Sequence, residues 1–278
     1  MKQIFLIFLS TVLISSSLFG WGENGHKMIT KHAVAYLPSE MKDFQILSDY
    51  LIKNCLDPDH RKKYIKDEAN KHYINIDYYT EFNHARMIES KDSLVKVYGD
   101  SVVTEYGVLP WALEKTFDNL VDAMQKHNLQ ATKEMMRDMA HYLADAFQPM
   151  HTVSNYNGQF TGQLDIHERY ETYMINQHLN ELDASFGSCG TLQLIASPLH
   201  IFFETIARSN ATCPVLFTAD DVAVRETHRK YDSLYYTILW FKTKAITEEI
   251  FQAAAAAIAS IYYTAWVDAG KPEFNSLK

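Results

Sequence analysis

Apolar residues recur at spacings of three and four along several long stretches of this 278-residue chain, and little interrupts them. Ten glycines and seven prolines are too few to divide it into short strands and tight turns. No stretch of any length alternates apolar and polar residues as a half-buried strand would. The stretches 114–126, 131–147 and 243–269 read most plainly as helices. The expected fold class is therefore all-α, in a single compact multi-helix domain, because no internal repeat, low-complexity linker or composition shift marks a second unit. Loops are expected at 57–67, 79–97, 153–164 and 185–191.

The first twenty residues have a different character. Lys2 precedes an apolar stretch from Ile4 to Leu18 broken mainly by Ser and Thr, the pattern of a secretory signal. Removal of residues 1–20 would leave 21–278 as the mature domain, secreted or periplasmic, and would make Trp21 its first residue. Leu18 is large for its place before such a cut, so cleavage nearer Ser17 is an alternative, as is an uncleaved anchor. Farther on, no stretch holds the roughly 18 uninterrupted apolar residues expected of a membrane span; even 251–266 is an Ala and Tyr run with charged flanks.

The formal charge of −8 becomes −9 without Lys2, and bulk electrostatics then oppose polyanion binding unless a bound cation changes the local field. Of the three cysteines, Cys189 and Cys213 are placed to close a 24-residue excursion, leaving Cys55 odd; unpaired buried thiols are the alternative. No protein partner is evident.

Chemistry-bearing side chains concentrate in two helical pairs. In His141-Tyr-Leu-Ala-Asp145 the spacing of four puts imidazole and carboxylate on one face, and Pro149 then ends the helix so that His151 turns back toward them. His167-Glu-Arg-Tyr-Glu171 repeats the spacing. Metal sites in helical bundles are built this way, from inward-facing residues on neighbouring helices. Upstream, His72 follows the acidic run Asp57-Pro-Asp59-His-Arg61, and His26 follows Trp21. With twelve histidines in the chain a chance His-x3-Asp is common, and His32, His60, His84, His127, His178, His200 and His228 fit no such pattern. The nitrogen and oxygen donors together suit zinc.

In order, Trp21-Gly-x-x-Gly-His26, an acidic run, His72-Tyr73-Ile, His141-x3-Asp145-x5-His151 and His167-x3-Glu171 resemble the superfamily of bacterial zinc-dependent phospholipase C and single-strand-specific zinc nucleases. The resemblance implies a trinuclear zinc site between helices. One zinc would be held by Asp59, His72, His141 and Asp145, with Asp57 competing for the place of Asp59. A second would be held by His151, His167 and Glu171. The third would take the amine and carbonyl of Trp21 with His26, sharing Asp145. Asp59 is preferred because a basic residue, here Arg61, follows the family's aspartate closely. Asp59 is also a candidate to orient the attacking water, and Arg61 to order the acidic run or contact phosphate.

The implied reaction is hydrolysis of a phosphodiester, since zinc supplies a nucleophile at neutral pH and neutralises phosphate oxygens. A neutral amine at Trp21 would be needed for binding, which predicts falling activity below neutral pH. Tyr73 falls where the nucleases place a base-stacking aromatic and Asn75 where they carry a base-reading aspartate; a packed core ring is the equal alternative for Tyr73. The short segment from His151 to Glu171 and its glutamate resemble the phospholipase branch, toward which the reading leans. The N-terminal motif and His72-Tyr73-Ile resemble the nuclease branch, the near-equal alternative being an endonuclease and 3′-nucleotidase acting on single strands. A secreted helical protein that binds metal without turnover is the third possibility.

Overall fold

A computed structural model describes residues 21–83, 86–188 and 192–278. The chain winds through α1 (Glu23–Ala35), α2 (Ser48–Asn54), α3 (Asp57–Arg61), α4 (Thr80–Asn83), α5 (Lys91–Tyr98) and α6 (Asp100–Glu105) to the long pair α7 (Leu109–Gln125) and α8 (Leu129–Ala146). After a turn-rich stretch come α9 (Ile166–Glu168), a π-turn at Arg169–Met174, α10 (Ile175–Gln177) and α11 (Leu179–Ser185). The long helices α12 (Pro198–Glu226) and α13 (Ser233–Asp268) follow. Among the described residues there is no strand, and one apolar core runs from Trp21 to Leu277.

α8 lies at the centre, packed against α1, α2, α7, α12 and α13. Its start is fixed by Asn128, whose side chain accepts from the Ala131 amide at 2.9 Å, supplying a partner that a free helix end lacks. Its second half is buried on every side, with Met136, Met139, Ala140 and Leu143 in the core and five polar residues buried among them. α13 begins ten residues before the expected 243, because Asp232 accepts from the amides of Leu234 and Tyr235 and caps an earlier start.

Two expected loops are partly helical. Pro58 opens α3 at a position where its missing N–H costs nothing. Ser90 caps α5 by accepting from the Ser93 amide. The stretch 153–164 is built of turns, as its composition suggests. α13 also departs from the expectation of no membrane span: over a helix-long window it is apolar enough to cross a bilayer by length and composition. That window is 67% buried inside the fold, as in a core helix.

Cys213 is a free, buried thiol that donates to the Pro149 carbonyl, so no bridge involves it; Cys189 lies outside the described residues. Residues 1–20, and with them the leader and its cut, also lie outside, as does His84. Asn210, which opens an Asn-x-Thr pattern, is inside α12 and donates to the Thr152 carbonyl at 2.8 Å.

Candidate metal centre

Helix periodicity and two backbone carbonyls aim the site's side chains. His141 and Asp145 project from the same face of α8, and His167 and Glu171 from the helical segment that the π-turn widens. π-turns of this kind are frequent at functional sites. His141 Nδ1 donates to the Cys55 carbonyl at 2.7 Å, and His151 Nδ1 to the His72 carbonyl at 2.6 Å. A carbonyl only accepts, so each ring's Nδ1 must carry hydrogen and its Nε2 is turned inward.

These inward atoms crowd together, and His72 Nδ1 lies at hydrogen-bond distance from both Asp145 Oδ2 and His141 Nε2. Asp59 Oδ1 is 3.5 Å from both His72 Nδ1 and His141 Nε2, and Asp145 Oδ2 is 2.9 and 3.4 Å from the same two atoms. The two ring nitrogens are 3.0 Å apart. Ligands held at 2.0–2.1 Å around a tetrahedral zinc stand about 3.3 Å from one another, which this quartet approaches. Nearby, His26 Nε2 is 3.4 Å from Asp145 Oδ1, and its ring stacks on His141 at 4.1 Å. In a third group, Glu171 Oε2 is 2.9 Å from His167 Nε2 and 3.9 Å from His151 Nε2.

Both nitrogens of His26, Asp59 Oδ2, Asp145 Oδ1, and Nε2 of His72, His151 and His167 are buried with no hydrogen-bond partner, and Asp59 Oδ1 has only its ion pair with Lys62. Unpartnered buried polar atoms are costly and uncommon, and so many on residues gathered in one place fit cations. The donor sets His26–His141–Asp145, Asp59–His72–His141 and His151–His167–Glu171 each gather within 4.8 Å.

Burial works against a charge on His141, but Asp145 and Asp59 outweigh it and raise its pKa to about 10. Against the burial that would raise them, the histidines hold both carboxylates below their ordinary range, His141 foremost. Burial lowers His26 and His151, and takes His72 and His167 down to about 4, leaving neutral rings with a lone pair to offer at pH 7. Glu171 is pushed well above its ordinary value by burial, although His151 and a 2.8 Å hydrogen bond from Gln148 pull the other way.

The model of one family, S1/P1 Nuclease, matches residues 21–178, which hold every donor in these three groups. The chain belongs to the S1/P1 nuclease family. Like other members of that family it is a zinc-dependent phosphodiesterase. Among curated proteins nothing matches it.

In this member of the family α3 separates residues that the sequence left together. Asp59 points to the histidines, while Asp57, 38% exposed, pairs with Arg137 at 2.8 Å. Arg61 does not accompany Asp59: its guanidinium is engaged by Glu68, Asp138 and the Tyr142 hydroxyl. The cation beside Asp59 is Lys62, its Nζ 2.6 Å from Oδ1. Sequence reasoning missed Lys62. The available signal was its spacing, since i and i+3 share a helix face whereas i and i+2 do not.

Trp21 is fully buried, donating from its indole to the Ala144 carbonyl and packed on Phe251 and Tyr170. Next to it, the Gly22 amide donates to the Glu171 carbonyl, which brings the Trp21 backbone beside the segment bearing that glutamate. Arg169, between His167 and Glu171, is buried and donates to Asp220 on α12 and Tyr235 on α13, tying the donor segment to helices beyond the family match.

A cleft of about 480 Å³ opens over His72, His151 and His167. Tyr73 and Asn75 line it, as do Tyr78, Tyr106, Tyr156 and Phe160. Tyr73 is half-buried, its hydroxyl donating to the Glu105 carbonyl. Gly107 makes that placement possible: its φ is +93°, and a Cβ there would stand 2.1 Å from the Tyr73 carbonyl oxygen.

Proposed function

We propose that this chain hydrolyses phosphodiester bonds of single-stranded nucleic acid at three zinc ions. On this reading Asp59, His72, His141 and Asp145 hold one; His151, His167 and Glu171 hold another; and His26 with the backbone of Trp21 holds the third, Asp145 being shared. The observation that carries the reading is the set of buried, unpartnered nitrogen and oxygen atoms directly beneath an aromatic-lined cleft. When bound, zinc supplies Lewis acidity and a nucleophile at neutral pH.

The chain's own residues account for the rest. Tyr73 offers a ring for a base to stack on, and Asn75, which lines the same cleft, presents an amide to read that base's edge. Asp59 pairs with Lys62, which sets a positive charge beside the donor cluster, and Arg61 orders α3 from the other side. The domain is 21–278, reached by removal of residues 1–20, and its place is outside the cell or in the periplasm.

A phospholipase-C-like activity is the second reading, favoured by the short segment from His151 to a glutamate at 171. Purified, zinc-loaded protein assayed on single-stranded DNA or RNA and on phosphatidylcholine, each with a chelator control, separates them. Chelator-sensitive nucleotide release is the expected result. Release of phosphocholine alone selects the second reading, and no turnover of either leaves a metal-binding protein without this chemistry.

A further inference from the structure

The turns between His151 and His167 form a built loop. Gln159 Nε2 donates to the Ser154 carbonyl, the Asn157 amide to Gln159 Oε1, and the Phe160 amide to Asn155 Oδ1. At Gly158 φ is +72°, and a Cβ would stand 2.4 Å from the Gln163 carbonyl oxygen, so the turn closes only on glycine. The loop's base is tied to the Tyr73 side of the cleft, because the Ser154 amide and hydroxyl both donate to Asp77 Oδ1 at 2.8 Å. Its polar groups bond inward, and Phe160 stands at the cleft rim 74% exposed. Phe160 is not a lone exposed ring: it joins Tyr73, Tyr78, Tyr106 and Tyr156 around one cleft, and a contiguous apolar patch of that kind marks a ligand-binding groove.

The rest of the cleft presents the same chemistry. Tyr78, 40% exposed, stacks on Tyr106 with centroids 3.6 Å apart. Among the described residues lining the cleft there is no lysine or arginine, and Glu105 adds a carboxylate. A groove that follows a nucleic-acid backbone is basic and its binding is strongly salt-dependent; this one offers ring faces instead. Its volume suits a small ligand rather than an extended strand.

We infer that the cleft recognises two successive unpaired bases by ring contact, one on Tyr73 and the next on Phe160 with the Tyr78–Tyr106 pair, and does not track the strand beyond them. The inference rests on the nucleic-acid reading proposed above. It makes Phe160 a specificity-determining residue, and makes chain length and salt weak variables.

The test compares a dinucleoside monophosphate with a single-stranded 20-mer on zinc-loaded wild type, Phe160→Ala and Phe160→Trp. For wild type, KM per cleavable bond should agree within about threefold between the two substrates. The slope of log KM against log salt should be no steeper than the ~0.7 of a single phosphate contact. Phe160→Ala should raise KM about tenfold with kcat within about twofold, in line with the loss of one base–aromatic stack, and Phe160→Trp should restore it. An unchanged KM in Phe160→Ala, or a steep salt slope with a strong preference for the 20-mer, overturns the inference. So does a Phe160→Ala protein that loses only binding to phosphatidylcholine vesicles, which would assign the ring to a lipid surface. A wild type that cleaves neither nucleotide substrate refutes instead the underlying reading, before Phe160 enters.

Discussion

Helix α8 carries two buried polar clusters on different faces, and they differ in whether their atoms are satisfied. Asp138 and Tyr142 join Arg61, Arg137, Glu68 and Lys71 in a network where cations and carboxylates hydrogen-bond one another at 2.7–3.2 Å. His141 and Asp145, one residue displaced in phase, join Asp59, His72 and His26 in a group where most inward atoms have no partner. Both groups exclude water and both are rich in charge. The first is complete within the chain and serves to hold α3 on α8, whereas the second is completed only by cations from outside. Burial and charge alone therefore do not mark the active centre here; unsatisfied convergence does.

That contrast breaks most readily at Asp145, which lies within 3.7 Å of nitrogens from four histidines. Asp145→Asn should lower bound zinc per molecule and reduce hydrolysis by more than about 100-fold, beyond the 10–100-fold typical of residues that only support a ligand. Metal analysis with steady-state kinetics checks this, and a variant retaining both full zinc and full turnover removes Asp145 from the centre. Arg61→Ala should behave oppositely. Leaving Glu68 and Asp138 without their guanidinium should cost about 3 kcal/mol, the lower end for a broken buried pair, and depress Tm by roughly 6–12 °C. The folded fraction should keep its zinc; loss of metal in step with Asp145→Asn would erase the distinction between the clusters.

A smaller effect separates them by pH. With its pKa raised to about 10, His141 carries a proton at pH 7 in the metal-free fold, and that proton is on Nε2 because Nδ1 donates to Cys55. Zinc must displace it. Loading at pH 7 should release at least about one proton, and apparent affinity should fall about tenfold per unit drop in pH below 10. The fall should steepen toward pH 4, where His72 and His167 also protonate. Calorimetry in two buffers of different ionisation enthalpy reads the proton count; a loading reaction indifferent to buffer and pH would mean that His141 is not displaced from its proton.

How far the site was legible in the sequence follows from which positions a helix fixes. His141 with Asp145 and His167 with Glu171 were readable because a spacing of four has one meaning in a helix. The all-α fold was readable for the same reason. The acidic run was not, because 57–67 read as loop, and without a helix the facing of Asp57, Asp59, Arg61 and Lys62 is undefined. Once α3 forms, residues two apart lie about 200° apart around its axis, so Asp59 and Arg61 diverge while Asp59 and Lys62 share a face. Phe160 and Gln148 had no signal of this kind. Their roles depend on turn hydrogen bonds and on a glutamate 23 positions away.

The mildest prediction tests that geometry directly. Asp57 and Arg61, four residues apart, share the face turned to Arg137 and Asp138, and Asp57 is the most exposed member of that group. An ion pair so open to solvent contributes about 0–1 kcal/mol. Asp57→Asn should therefore shift Tm by no more than about 4 °C and leave zinc content and turnover at wild-type levels. Asp59→Asn, two positions on, should deplete zinc, since Asp59 is buried, its Oδ2 has no hydrogen-bond partner and its Oδ1 stands between two histidines. Exchanged phenotypes would mean that α3 is rotated by half a turn in solution, and Arg61, not Lys62, would then be the cation facing the metal donors.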